Sequence, residues 1–270
     1  MTHAKVDRTV NTPGRIRVRR DSGVSTLLIS NPKRRNALDQ TMCIELEELM
    51  LELDRDPQTT VIVLRGEGKD FSAGAALNDL ESVLFADVGN GETIDYLSRA
   101  DAAIRAARKP TIALVRGVCM GGGWQIAAAC DILLAADDCR IAITPAKLGI
   151  LYPRPGLERL VDRVGADRAK FLLYSGVEVS PLKAEAWGLV SELIEADLFE
   201  AQVREYCTTV AARSQFAVTS MGHLVDQLHA HDVDQQWAQL WAEFQTHEDL
   251  AHGRASFLAG QKPVFSWRLD

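Results

Sequence analysis

The sequence predicts an α/β fold with a helical C-terminal region. Short apolar or β-branched runs alternate with stretches of helical periodicity through the first half of the chain. Glycine-containing turns separate them, and after Gly156 the strand signals give way to long helical patterns. The α/β core is placed at about 12–200 and the helical region at 201–270, with no low-complexity stretch or linker between them.

The elements follow in order. Residues 15–20 and 25–31, joined through Asp21-Ser22-Gly23, read as a hairpin, which Asn31-Pro32 ends. Asp39 is placed to cap a helix whose apolar face is Met42, Leu46, Leu49 and Leu53. The β-branched run 60–65, closed by Gly66, reads as a strand buried on both faces. A helix is expected over 92–108, strands over 110–115, 132–135 and 139–144, and a short helix over 123–130. Ser180-Pro181 is a cap followed by an N1 proline, and helices are expected over 197–213, 215–229 and 233–259.

Composition narrows the function. Of 270 residues, 47% are hydrophobic and 25% charged, which suits a packed globular protein. No run approaches the roughly 18 apolar residues of a membrane helix, and residues 1–12 read as a polar tail rather than a secretory signal. Formal charge is -7 and pI about 5.4, so neither nucleic acid nor a membrane surface is an expected partner. The five cysteines form no C-x-x-C pair and are read as buried free thiols in a cytoplasmic, reducing setting. His223, His229 and His231 lack metal-ligand spacing and are assigned to a solvated helix face, so no metal is expected.

Two loops carry the chemistry. Phe71-Ser72-Ala73-Gly74-Ala75-Ala76-Leu77 follows the strand at 60–65, and Gly121-Gly122-Gly123-Trp124-Gln125 follows that at 110–115 and opens a helix. A helix N-terminus offers unpaired N–H groups, and glycines let a ligand carbonyl approach the backbone. No Gly-Lys-Ser/Thr follows either loop and G-x-G-x-x-G is not matched, which disfavours a phosphate cradle.

With their flanks, the loops resemble the crotonase (enoyl-CoA hydratase/isomerase) superfamily. Residues 31–39 (NPKRRNALD) are similar to its CoA-contacting loop, and 68–75 (GKDFSAGA) to its first oxyanion loop. Residues 109–132 are similar to its second oxyanion segment, 184–190 (AEAWGLV) to its A-x-x-x-G-L-V segment, and 257–265 (FLAGQKPVF) to its terminal Lys-Pro-x-Phe motif. The resemblance implies a spiral of β-β-α repeats with a C-terminal trimerisation region, and a homotrimer or hexamer. It implies that the amides of Ala75 and Gly122 hold a thioester carbonyl. Lys33, Arg34 and Arg35 would lie near the CoA phosphates or adenine, with Ala37 and Ala73 in the same binding loops. Lys262 would reach CoA on a neighbouring subunit. Trp124, assigned with the substrate-binding residues, is expected to pack in the acyl pocket or the core rather than react. Coenzyme A enters as part of the substrate; no separate cofactor is implied.

The residues depart from the hydratase pattern. Gln125 and Pro145 stand where hydratases of this family carry glutamates, and Pro153 where dienoyl isomerases and aryl dehalogenases carry an aspartate. The segment 144–152 (TPAKLGILY) is closer to methylmalonyl-CoA decarboxylase, whose tyrosine lies beside the departing carboxylate; Tyr152 matches it. That enzyme has a glutamate at the position of Gln125 and a histidine at that of Ala75. Gln125 is expected to hydrogen-bond an acyl group or water, while Asp95 and Tyr96 are expected on a helix surface. Pocket walls are placed over 83–97 and 124–152. The expected function is therefore an acyl-CoA lyase acting through a thioester enolate, with decarboxylation ahead. Hydration or isomerisation by other acid/base groups, and acyl-CoA binding without turnover, are the alternatives.

Overall fold

Strands β1 (Arg15–Asp21) and β2 (Val24–Ser30) form the expected antiparallel hairpin in the computed structural model, which describes residues 14–228 and 232–269. The tail at 1–12, His229 and His231, and the last residue of the helix expected at 215–229 lie outside the described residues. The hairpin turn is Ser22-Gly23, both at positive φ (49° and 84°), the twist that two-residue turns need to match right-handed strands. Asn31-Pro32 leads into a single 3-10 turn, Pro32–Arg34.

Helix α1 (Gln40–Arg55) starts where Asp39 accepts a hydrogen bond from the Met42 amide at 2.9 Å. It buries Met42, Leu46 and Leu53 against the sheet, while Lys109 Nζ donates to the carbonyls of Leu53 and Asp56 at its far end. Strand β3 (Val61–Gly66) is followed by the loop at 71–76, a 3-10 turn at Leu77–Asp79 and helix α2 (Leu80–Leu84). The helix expected over 92–108 is shorter. Residues 92–94 form strand β5 (Glu92–Ile94), paired with β4 (Ala86–Gly89), and helix α3 begins at Tyr96 and ends at Arg105.

Strand β6 (Thr111–Val115), strand β7 (Val118–Met120) and helix α4 (Gly122–Ala129) come next, then β8 (Ile132–Ala136) and β9 (Arg140–Ala142). Helices α5 (Arg154–Val164), α6 (Ala166–Ser175) and α7 (Pro181–Trp187) lead to β10 (Glu192–Ile194), a strand beyond the point where strand signals had faded. Helices α8 (Phe199–Ala211), α9 (Gln215–Asp226), α10 (Val233–Thr246) and α11 (Glu248–Leu258) complete the chain. The helix expected over 233–259 is thus two, divided at His247, whose ring accepts from the Asp249 amide.

The main sheet has the order β1-β2-β3-β6-β8-β10, parallel except for β1. A smaller parallel pair, β7-β9, is extended by single bridges, Ser72 to Cys119 and Ile141 to Val179. Successive repeats thus give one strand to the main sheet and one to the small one. Alternate residues explain the apolar runs. Ile62, Leu64, Ala113 and Val115 enter the core shared with α1, α3 and α4, while Val61, Val63, Ile112 and Leu114 pack under α8. A division at residue 200 would cut α8, whose Phe199 and Val203 complete that second core.

All five cysteines are free and buried, and burial pushes the Cys207 thiol up to about 11 and that of Cys139 to about 12. No helix among the described residues is long and apolar enough to cross a membrane. The Asp39 cap gives a direct test of the local reading. Asp39→Ala should destabilise the protein by about 1 kcal/mol, seen as a Tm a few degrees lower with the fold retained.

Candidate active site

The loop at 71–76 is held from two sides. Towards β7, Ser72 N donates to Val118 O at 2.9 Å and Met120 N to Ser72 O at 3.0 Å. Asp70 supports this edge by accepting from Val118 N at 3.0 Å. Towards the basic loop, Ala73 N donates to Arg35 O, Leu38 N to Gly74 O, and Ala76 N to Leu38 O, at 2.8 to 2.9 Å. The fully buried Ser72 hydroxyl donates to Asn36 O at 2.7 Å and accepts from Gly74 N at 3.1 Å. Every amide from 72 to 76 is therefore engaged except that of Ala75, which has no acceptor among the described residues.

The second loop leaves a matching donor. Gly121 N donates to Ala142 O at 2.9 Å, and Gln125 N to Gly121 O closes the first turn of α4. Gly122, the first residue of the helix, has no intrahelical partner for its N–H, and none is found elsewhere among the described residues.

The two free amides lie close together. A Cβ built on Gly122 would lie 3.2 Å from Ala75 N, and one built on Gly74 3.1 Å from Gly122 N and 2.7 Å from Met120 O. Gly74 also has φ +96°, so no other residue fits there without strain. A side chain on Gly123 would collide with the Ser72 carbonyl. Ala75 and Gly122 are both partly exposed, so their unpaired N–H groups are open to a ligand oxygen.

The donors open on a cavity of about 110 Å³ lined on one side by Leu77, Leu80, Leu84 and Leu97, and on the other by Leu148 and Ile150. Pro145 and Pro153 also line it, so neither position supplies a proton-transfer group. Thr144 and Tyr152 are its side-chain hydroxyls, and among the described residues no charged side chain lines it. Tyr152 is buried, and its hydroxyl donates to Gly121 O at 3.1 Å, bracing the glycine turn. Burial pushes this phenol well above its ordinary value, with Cys119 adding to the shift, so it stays protonated and remains a donor.

Other expected site residues are placed differently. Trp124 is fully buried, and its indole N–H donates to Leu189 O at 3.2 Å. It belongs to the core, one of the two places expected for it, and does not line the cavity, so its assignment to substrate binding is corrected. Gln125 is also fully buried; neither atom of its carboxamide has a hydrogen-bond partner among the described residues, and it packs over Gly156 of α5 rather than lining the cavity. Lys33, Arg34 and Arg35 are exposed on the loop stitched to residues 73–76, where Arg34 pairs with Asp79 at 3.3 Å. Ala37 is buried beside them, its carbonyl accepting from Asn31 Nδ2, and Ala73 lines the cavity. Lys262 is exposed, with no hydrogen bond or ion pair to the cavity-lining residues. Asp95 caps α3 through Ser98 N, and Tyr96 lies under Arg99.

A sequence model of enoyl-CoA hydratase/isomerase matches residues 19–268. The chain belongs to the enoyl-CoA hydratase/isomerase family. It is 31% identical to the probable enoyl-CoA hydratase echA8 of Mycobacterium bovis, over 94% of this chain and 98% of the relative. The mevalonyl-coenzyme A hydratase sidH of Aspergillus fumigatus is 31% identical over 90% of each chain. A crystal structure of an enoyl-CoA hydratase/isomerase family member superposes with a TM-score of 0.93 and 46% identity, covering 96% of this chain and 99% of that one. The architecture is accordingly the crotonase fold.

Asn36, Asp70 and Ser72 shape the first loop without belonging to any catalytic pattern in the sequence. Asn36 is fully buried at φ 56°, with its amide donating to Glu67 O and Asp70 O. Its signal was an asparagine after two arginines in a turn, the residue type that best tolerates left-handed backbone. Gly122→Pro tests the donor assignment, because proline suits a first helical position but lacks the N–H. A Cβ at 122 also meets Leu97 Cδ2 at 2.9 Å and Ala75 N at 3.2 Å, so the decisive outcome is one-sided: a loss of roughly 100- to 1000-fold in kcat is expected, and full activity would overturn the donor assignment.

Proposed function

We propose that the protein is an acyl-CoA lyase that forms a thioester enolate by decarboxylation. The observation that carries this reading is a pair of neighbouring free amides opening on a cavity with no charged side chain among the described residues. The thioester carbonyl oxygen would accept hydrogen bonds from Ala75 N and Gly122 N. As the bond from the α-carbon to the carboxylate breaks, its electron pair enters the enolate, carbon dioxide leaves, and charge gathers on the oxygen facing the amides. No general base is required for that step. The proton added to the α-carbon comes from water.

The bonds from Ala73 and Ala76 to the basic loop support a CoA-binding role for Lys33, Arg34, Arg35 and Ala37, because they fix that loop against the carbonyl site. Trimeric or hexameric assembly is supported by Trp237, Trp241, Phe257, Leu258 and Val264, large apolar groups half or more exposed on α10, α11 and the tail. Lys262, in that tail, then acts on a neighbouring subunit. Five buried free thiols fit a cytoplasmic setting.

Incubation with malonyl-, methylmalonyl- and crotonyl-type CoA thioesters, read by mass spectrometry, tests the reaction class. Loss of the mass of carbon dioxide from a malonyl-type substrate is the expected result. Gain of one water by a crotonyl thioester would instead show a hydratase, and binding without change of mass a non-catalytic acyl-CoA protein.

A further inference from the structure

Arg159 and Asp101 form a forked ion pair inside the protein, with Nη1 to Oδ2 at 2.7 Å and Nη2 to Oδ1 at 2.9 Å. Their side chains are 13% and 1% exposed, in contrast to the other arginine–carboxylate pairs of the described residues, which have at least one well-exposed partner. Asp101 lies on α3 and Arg159 on α5. The same Nη1 also reaches Gln125 O on α4, at 3.3 Å. One guanidinium therefore ties three helices together.

Each of these helices carries part of the candidate active site. Leu97, one turn before Asp101 on α3, lines the cavity and approaches Gly122 so closely that a Cβ there would be 2.9 Å from its Cδ2. Helix α4 begins with the Gly122 donor, one turn before Gln125. Immediately before α5 stand Tyr152, which braces Gly121 O, and Pro153, which caps the helix and lines the cavity. The α4 helix is buried all round, and Gly123 and Gly122 give it no side chain to key its start against a neighbour. Apolar packing is non-directional, whereas a guanidinium–carboxylate fork fixes distance and angle together.

We infer that the Asp101–Arg159 pair is a further positioning element of the oxyanion hole, acting beside the backbone pairing at residues 72 and 118–120: it holds the start of α4, and with it the Gly122 amide, by locking α3 and α5 onto the α4 backbone. Neither residue touches the thioester. The inference rests on the reading of Ala75 and Gly122 as carbonyl donors, and the two are separable by experiment.

The measurement compares the affinity of native protein and variants for an unreactive ketone analogue of an acyl-CoA, in which a methylene replaces the thioester sulfur, with that for CoA itself. The analogue needs the carbonyl donors, whereas CoA needs only the basic loop. A native protein that binds the analogue no more tightly than CoA would overturn the donor reading, whatever the pair does. With that reading intact, the double variant Asp101→Leu/Arg159→Met replaces the pair by apolar groups, a change often neutral for stability. Its affinity for the ketone analogue should fall by about tenfold, the scale of one hydrogen bond, with affinity for CoA unchanged. Arg159→Lys keeps the charge but not the fork, and serves if the double variant does not fold; it should show the same selective loss, in smaller degree. Analogue affinity equal to native in a folded variant, or an equal fall for CoA and analogue, would overturn the inference.

Discussion

The structure depends on the close approach of two main-chain segments, residues 72–76 and 120–123. Ser72 is hydrogen-bonded to both Val118 and Met120, which places the first segment as an extra strand beside β7. At that separation Gly74 and Gly123 have no room for a side chain. The main sheet sets up the contact, because β3 and β6 are adjacent and parallel, so the chain emerging from each passes the other on the same side. Once the contact forms, the hydrogen-bonding pattern leaves Ala75 and Gly122 as its two unused donors. The closeness of these two amides is then a consequence of the backbone pairing, and any side chain at position 75 presents the same N–H.

The surroundings divide into a neutral centre and a charged periphery. Most ion pairs among the described residues lie at the surface, where each contributes little to stability. Among the described residues the cavity has no charged lining, and its phenol is kept neutral by burial. Electrostatic help at its centre must come from backbone dipoles and hydroxyls. This suits chemistry that needs an oxyanion stabilised more than a proton removed.

Much of this was legible where local chemistry decides structure. Ser22-Gly23 specifies its turn, Asp39 its cap, and the run at 61–66 a strand buried on both faces, because each depends on a few adjacent residues. The three- and four-residue strands β4, β5, β7 and β10 were missed, since so few residues cannot show a period. The break at His247 was invisible because neither glycine nor proline marks it. The free donors could be placed by resemblance at Ala75 and Gly122, but the side chains beside them could not. Residues 123–129 of α4 are all buried, so the pattern gives no hint which face looks into the cavity, and Trp124 and Gln125 turn away from it. The fork between Asp101 and Arg159 spans 58 residues of sequence and leaves no local trace.

The most direct test is the stretching frequency of a bound thioester carbonyl, read by isotope-edited infrared spectroscopy with carbon-13 at that position. Two amides donating to its oxygen must polarise the C=O bond, so its band should move to lower frequency in the complex than for the same thioester in water. A band at the free value or above, with the acyl-CoA shown to be bound, would contradict the assignment of Ala75 and Gly122 as the oxyanion hole.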